Sequence, residues 1–139
     1  MKTTDELVHE ITGSSNIRDY FERNQDELNL SGFPDYLNFW LKEKNRTKAD
    51  VVRGSNQNKA YVYQIFSGKK YPSRDKVIAL AFGLGLCAEE TQTLLKQAGY
   101  RELYPRDPRD TLILFAISQN MGIIQTNELL YENDIGVLE

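Results

Sequence analysis

Apolar residues recur at helical spacing along most of the chain, and no segment shows the strict alternation of a half-buried strand, so the pattern predicts an all-α protein with short loops. Phe33, Tyr36, Leu37, Trp40 and Leu41 follow the i, i+3, i+4, i+7, i+8 spacing behind Ser31 and Pro34, predicting a helix that ends near Lys44 and Asn45. Thr47 with Asp50 three residues on has the form of an N-terminal cap. It predicts a very short helix from Lys48 to Arg53 with Gly54 as its stop. In the next segment Val62, Ile65 and Phe66 line one side, while Ala60, Tyr63, Gln64 and Ser67 fall opposite, and Gly68 ends the helix. Pro72 and Ser73 open a broadly apolar helix carrying Val77, Ile78, Leu80, Ala81 and Leu84, which is expected to be deeply buried. Ala88 to Gln97 forms another, with Glu89 and Glu90 at its positive N-terminal end and Gly99 closing it. Upstream, Thr3 to Ile11 reads as a short helix with a Thr3/Glu6 capping box. Asn16 to Leu28 reads as an amphipathic one carrying Ile17, Tyr20, Phe21 and Leu28.

An internal similarity extends the pattern to the C-terminal part. Displacing residues 74–95 by 35 positions matches Arg74 with Arg109, Asp75 with Asp110, Ile78 with Ile113, Ala81 with Ala116, Thr91 with Thr126, Leu94 with Leu129 and Leu95 with Leu130. Arg109 to Glu132 is therefore expected to be a second helical hairpin shaped like the first. Its core positions are expected at Leu112, Ile113, Phe115, Ala116, Leu129, Leu130 and Tyr131, with Pro105 and Pro108 in the connecting loop. Two units fall short of the three or more that open helical arrays need.

The 139-residue chain has a net charge of −3, which by itself argues against a polyanion partner. Its distribution argues the other way. Lys42 to Lys76 holds ten cationic and three anionic side chains, a net of +7, while residues 1–41 and 77–139 each carry −5. A basic centre between acidic flanks points to a polyanion for the middle segment. One cysteine, Cys87, gives no disulfide framework, and with one histidine, His9, there is no plausible metal cluster. No catalytic constellation is found, and no metal, cofactor or enzymatic activity is expected; Glu89 and Glu90 read as a helix-start feature. No run approaches the roughly 18 apolar residues of a membrane span, and no apolar stretch follows Lys2 as in a signal peptide, so a cytoplasmic protein without membrane contact is expected.

The Trp40-bearing helix, the two short helices around Gly54 to Asn56 and the two helices that follow resemble the five-helix DNA-binding domain of the lambda-repressor/Cro type, the XRE family of helix-turn-helix regulators. The resemblance covers about residues 33–100. It rests on Thr47-Lys48-Ala49-Asp50-Val51-Val52, on Asn56-Gln57-Asn58-Lys59-Ala60-Tyr61-Val62, and above all on Ser67-Gly68-Lys69-Lys70-Tyr71-Pro72-Ser73. Three positions depart from the family pattern: Val52 stands for the usual alanine, Asn56 for the turn glycine and Gln57 for an inward apolar residue. Asn56 is expected to adopt the left-handed turn conformation, which asparagine tolerates, and the other two predict a shifted inter-helix angle or a rotated recognition helix.

Charge, periodicity and the resemblance together divide the chain into an acidic helical extension over 1–30, a helix-turn-helix domain over 31–104 and a C-terminal hairpin over 105–139 packed on it. A recognition helix at about 57–66 would read the major groove of double-stranded DNA. Asn58, Lys59, Ala60, Tyr63 and Gln64 would face the bases, and Lys48, Ser67, Lys69 and Lys70 would hold phosphates. The C-terminal hairpin is the expected surface for a homodimer or a protein partner. The competing expectation is a protein-interaction module on the same scaffold with weak or lost DNA binding.

Overall fold

Seven helices with short connections account for most of residues 32–139, which are the residues described by the computed structural model of the protein. They run α1 (Phe33–Glu43), α2 (Lys48–Ser55), α3 (Lys59–Phe66), α4 (Arg74–Leu84), α5 (Ala88–Gln97), α6 (Pro108–Ser118) and α7 (Ile123–Glu132). No strand occurs among the described residues, so the fold is all-α. The helices expected at 3–11 and 16–28 lie outside them. No described helix is long and apolar enough to cross a membrane.

Helix α4 is the hub. Val77, Ile78, Ala79, Leu80, Ala81 and Leu84 are all buried, so it is apolar around most of its circumference, as a helix packed on several sides must be. Its closest partner is α2, and two glycines make that approach possible. A Cβ on Gly54 would lie 2.8 Å from Gly83 Cα, and one on Gly83 would lie 2.7 Å from the Val51 carbonyl oxygen. Gly54 therefore does not stop α2. The helix runs on to Ser55, and Asn56 terminates it in the left-handed conformation (φ 55°). Helix α1 packs against α3 and α5 and buries Phe33, Leu37 and Trp40, whose indole Nε1 donates to Gln97 Oε1 of α5 at 2.9 Å.

The expected second hairpin is present as α6 and α7, and it repeats α4 and α5 down to individual hydrogen bonds. Gly85 and Asn120 both end their helices with positive φ (72° and 57°). After them Leu86 N donates to Ala81 O, and Met121 N to Ala116 O, both at 3.0 Å. Thr91 Oγ1 donates back to Cys87 O, and Thr126 Oγ1 to Gly122 O (2.9 and 2.8 Å). The similarity extends past the matched segment: Leu103 N donates to Gln92 Oε1 and Leu138 N to Asn127 Oδ1, and both leucines are buried.

The two hairpins also hold each other reciprocally. Arg74 donates to both carboxylate oxygens of Asp110 (3.2 and 2.9 Å), and Arg109 to both of Asp75 (2.8 and 2.7 Å). Each arginine additionally reaches carbonyls just beyond its own hairpin, those of Arg101 and Glu102 for Arg74 and of Gly136 and Val137 for Arg109. An exchange in which each unit gives the other the same bond is the signature of an approximate two-fold relation, which closes after two copies. An open stack would leave one arginine and one aspartate without a partner.

Three expectations for the hairpin need correction. Phe115 and Tyr131 are not core residues but 48% and 77% exposed. Pro108 lies within the first turn of α6 rather than in the loop, where its missing N–H costs nothing. Leu112 and Leu129 are half-buried, whereas Ile113, Ala116 and Leu130 are fully enclosed.

Candidate nucleic-acid interface

Helix α3 owes its placement to the two-residue punctuation before it. The Thr47 hydroxyl accepts from Asp50 N (3.1 Å) while the Asp50 carboxylate accepts from Thr47 N (2.9 Å), a complete capping box that starts α2. The bond from Thr47 N and the nearby Arg53 guanidinium hold the Asp50 carboxyl below its ordinary range. Asn56 then turns the chain, and Asn58 caps α3 by accepting from Ala60 N at 2.8 Å and Tyr61 N at 3.4 Å. The helix spans eight residues, and Val62, Ile65 and Phe66 bury its inner side.

Lys59, Ala60 and Tyr63 are exposed on the outer side and Gln64 is half-exposed. Lys48 reaches across from the first turn of α2, so that its ammonium lies 5.4 Å from the centre of the Tyr63 ring, and Lys59 lies 5.7 Å from the same ring. Two cations lie within reach of one tyrosine ring, each contact being worth about 0.5–1 kcal/mol at an exposed site. The same face is indented by a cleft of about 240 Å³ lined by Ala49, Val52, Arg53, Lys59 and Tyr63. The structure thus brings together Lys48, Lys59, Ala60, Tyr63 and Gln64 on one surface of the α2–α3 pair.

Asn58 and Ser67 both make local hydrogen bonds. The Asn58 carbonyl oxygen is engaged in the cap, leaving its amide N–H groups to face outward, and α3 begins at Lys59 rather than 57. Ser67 donates its hydroxyl to Gln64 O (3.1 Å) and its N–H to Tyr63 O (3.0 Å), so neither donor is free for a phosphate. Lys69 N and Lys70 N both donate to Gln64 O (2.9 and 3.2 Å), which leaves the two side-chain ammonium groups as what this loop presents. The loop itself is anchored. The Tyr71 hydroxyl donates to Ala98 O, and the Tyr100 hydroxyl donates to Pro72 O at 2.6 Å.

Gln57 turns inward by polar means: its Nε2 donates to Ser55 O (3.3 Å) and its Oε1 accepts from Lys76 Nζ (2.9 Å). Lys76 also lies 5.5 Å from the Tyr61 ring centre, and Tyr61 packs half-buried against the core, where burial raises its hydroxyl pKa. The amide that stands where an inward apolar residue is usual is therefore satisfied by a cation from α4.

The basic centre is partly consumed by the fold. Lys44 pairs with Glu90 (2.6 Å), Arg53 with Asp50 (2.5 Å) and Arg74 with Asp110 (2.9 Å). Among the described residues Lys48, Lys59, Lys69 and Lys70 have no carboxylate at ion-pair distance. Arg53 belongs to this surface although its spacing from Asp50 reads only as an intrahelical pair; 70% of its side chain remains exposed beside the cleft.

Comparison of the chain with protein-family models, with curated proteins and with solved structures returns no match. The class is thus defined by architecture alone: an all-α protein whose last two helical hairpins are paired about an approximate two-fold.

Proposed function

We propose that the protein is a sequence-specific DNA-binding transcriptional regulator of helix-turn-helix type, with α3 entering the major groove of double-stranded DNA. The observation that carries this reading is the outer face of α3. Lys59, Ala60, Tyr63 and Gln64 stand on it, Lys48 joins from α2, and Lys69 and Lys70 follow its C-terminal end. The sequence of five helices from α1 to α5, with a left-handed Asn56 in the turn, supports a core of the lambda-repressor type.

In this reading Gln64 and the free amide of Asn58 address adenine edges, the Ala60 methyl meets a thymine methyl, and Lys59 reaches guanine acceptors. The ammonium groups of Lys48, Lys69 and Lys70 position the domain on phosphates and carry no sequence information. The test is selection of bound fragments from sheared genomic DNA, followed by affinity measurements across a salt series. A recurring short motif with a steep loss of affinity in salt is expected. Failure to retain any fragment at low salt overturns the reading.

A second reading, a protein-interaction module on the same scaffold, is favoured by Phe115, Ile124 and Tyr131, which the α6–α7 hairpin leaves exposed. It predicts no DNA retention and a stable complex that is lost when these three side chains are made polar.

A further inference from the structure

A second concavity lies where the two hairpins meet, at the C-terminal ends of α4 and α6. It has a volume of about 300 Å³, within reach of the smallest ligand pockets. Most of its lining comes in pairs related by the 35-residue repeat: Phe82 with Ile117, Gly85 with Asn120, and Leu86 with Met121. The cleft therefore straddles the approximate two-fold, and four of these six residues are apolar.

Arg46, from the α1–α2 connection, breaks the symmetry. Its guanidinium lies against Gly85, so close that a Cβ there would meet Nη2 at 2.7 Å. An arginine at a helix C-terminus is ordinarily read as a cap for the last carbonyls. Here Ala81 O and Phe82 O accept from Leu86 N (3.0 Å) and Gly85 N (3.1 Å), and among the described residues the Arg46 side chain donates to no backbone carbonyl. Among the described residues the Arg46 guanidinium has no carboxylate at ion-pair distance, and no acidic side chain lines the cleft. The site thus combines a cationic fork with an unengaged charge, the Asn120 amide and four apolar side chains.

We infer that this cleft binds a small organic monoanion, a carboxylate carried on a compact apolar body. Arg46 receives the carboxylate in the bidentate geometry that guanidinium favours, and Phe82, Leu86, Ile117 and Met121 cover the apolar part. A phosphate ester fits less well, since its second charge finds no further cation among the lining residues. An occupant touches the α1–α2 connection and both hairpins at once, so it stiffens the junction between them. The inference is independent of the DNA reading.

Benzoate is the probe, with benzamide as its neutral counterpart, titrated into the full-length protein while the methyl resonances of Ile117 and Met121 are followed by NMR. Saturable shifts are expected with a dissociation constant on the order of 0.1–1 mM, about tenfold weaker for benzamide. Arg46→Gln, which keeps much of the side-chain stem, is expected to bring benzoate down to the benzamide affinity. Absence of saturable shifts, equal affinity for the two probes in the unaltered protein, or undiminished benzoate binding by Arg46→Gln overturns the assignment. The comparison of the two probes needs no variant, so it stands even where a substitution disturbs the fold.

Discussion

Arg74 holds Asp110 across the hairpin interface in the same bidentate manner in which Arg109 holds Asp75, yet the two pairs differ in burial. The Asp110 side chain is 1% exposed and also accepts from Tyr104 N (2.9 Å), whereas Asp75 retains 27% of its surface and accepts a long bond from Glu139 N (3.5 Å). A carboxylate removed from water depends on its partners for the stabilisation that water supplied. Arg74→Ala leaves a buried charge uncompensated and is expected to cost about 3–5 kcal/mol, while Arg109→Ala costs less, about 1–3 kcal/mol. Urea denaturation midpoints of the two variants check the order; equal losses would mean that the interface does not distinguish its two halves.

The Arg109–Asp75 pair contributes to the acid limb of the stability profile. Burial is the largest single influence on Asp75 and pushes its pKa up, but the Arg109 bonds and charge together outweigh it, so the carboxyl lies below its ordinary range. Glu90 is likewise lowered: burial raises it, and the Cys87 N–H and Lys44 more than offset that. A carboxylate whose folded pKa is depressed binds fewer protons than in the unfolded chain, so its contribution is present above the unfolded value and lost as the pH falls through the folded one. Stability is expected to decline from about pH 5 downward. Asp75→Asn flattens that decline, and stability measured at several pH values between neutrality and acid reads out the change in slope.

The crossing of α2 and α4 depends on absent side chains. Alanine at position 83 gains about 1 kcal/mol of helix propensity over glycine, yet its methyl would lie 2.7 Å from Val51 O, which belongs to backbone that cannot move independently. The clash dominates, and Gly83→Ala is expected to lower stability by about 1–3 kcal/mol. Thermal unfolding checks the sign. A stabilised variant would show that the two helices do not approach as closely as described.

Much of this architecture is legible in the sequence because it is local. The Thr47/Asp50 box, the αL-tolerant Asn56, the one-sided apolar stripe of α3 and the 35-residue similarity all announce themselves within a few turns of helix. What escapes depends on partners far along the chain. Gly54 reads as a helix stop, since nothing nearby shows that Gly83 will press against it. Phe115 matches Leu80 in the repeat and so reads as core; Leu80 is enclosed, but the corresponding face of α6 is left open. Apolar spacing tells which side of a helix is apolar, not whether another element covers it. Arg74 counts toward the basic centre on charge alone, although the fold commits it to Asp110.

The lysines and the amide on the α3 surface are expected to fail in different ways when removed. Lys69 and Lys70 stand on a loop anchored by the Tyr71 and Tyr100 hydroxyls, with their backbone N–H groups already engaged, so in the proposed complex only their charges would be offered to a phosphate. Replacing both with alanine is expected to weaken binding to every DNA sequence alike and to lower the slope of log affinity against log salt by about 2, close to 0.9 per contact. Gln64 projects from the helix face itself. Gln64→Ala is expected to leave the salt slope intact while costing about 1–3 kcal/mol at a preferred site and little elsewhere, which relaxes discrimination at one base pair. Affinities of the three proteins for the selected motif and for an unrelated duplex, each over a salt series, separate the two effects. If Lys69 and Lys70 can be removed with no change in slope, this loop does not touch phosphate and the docking of α3 is not as proposed.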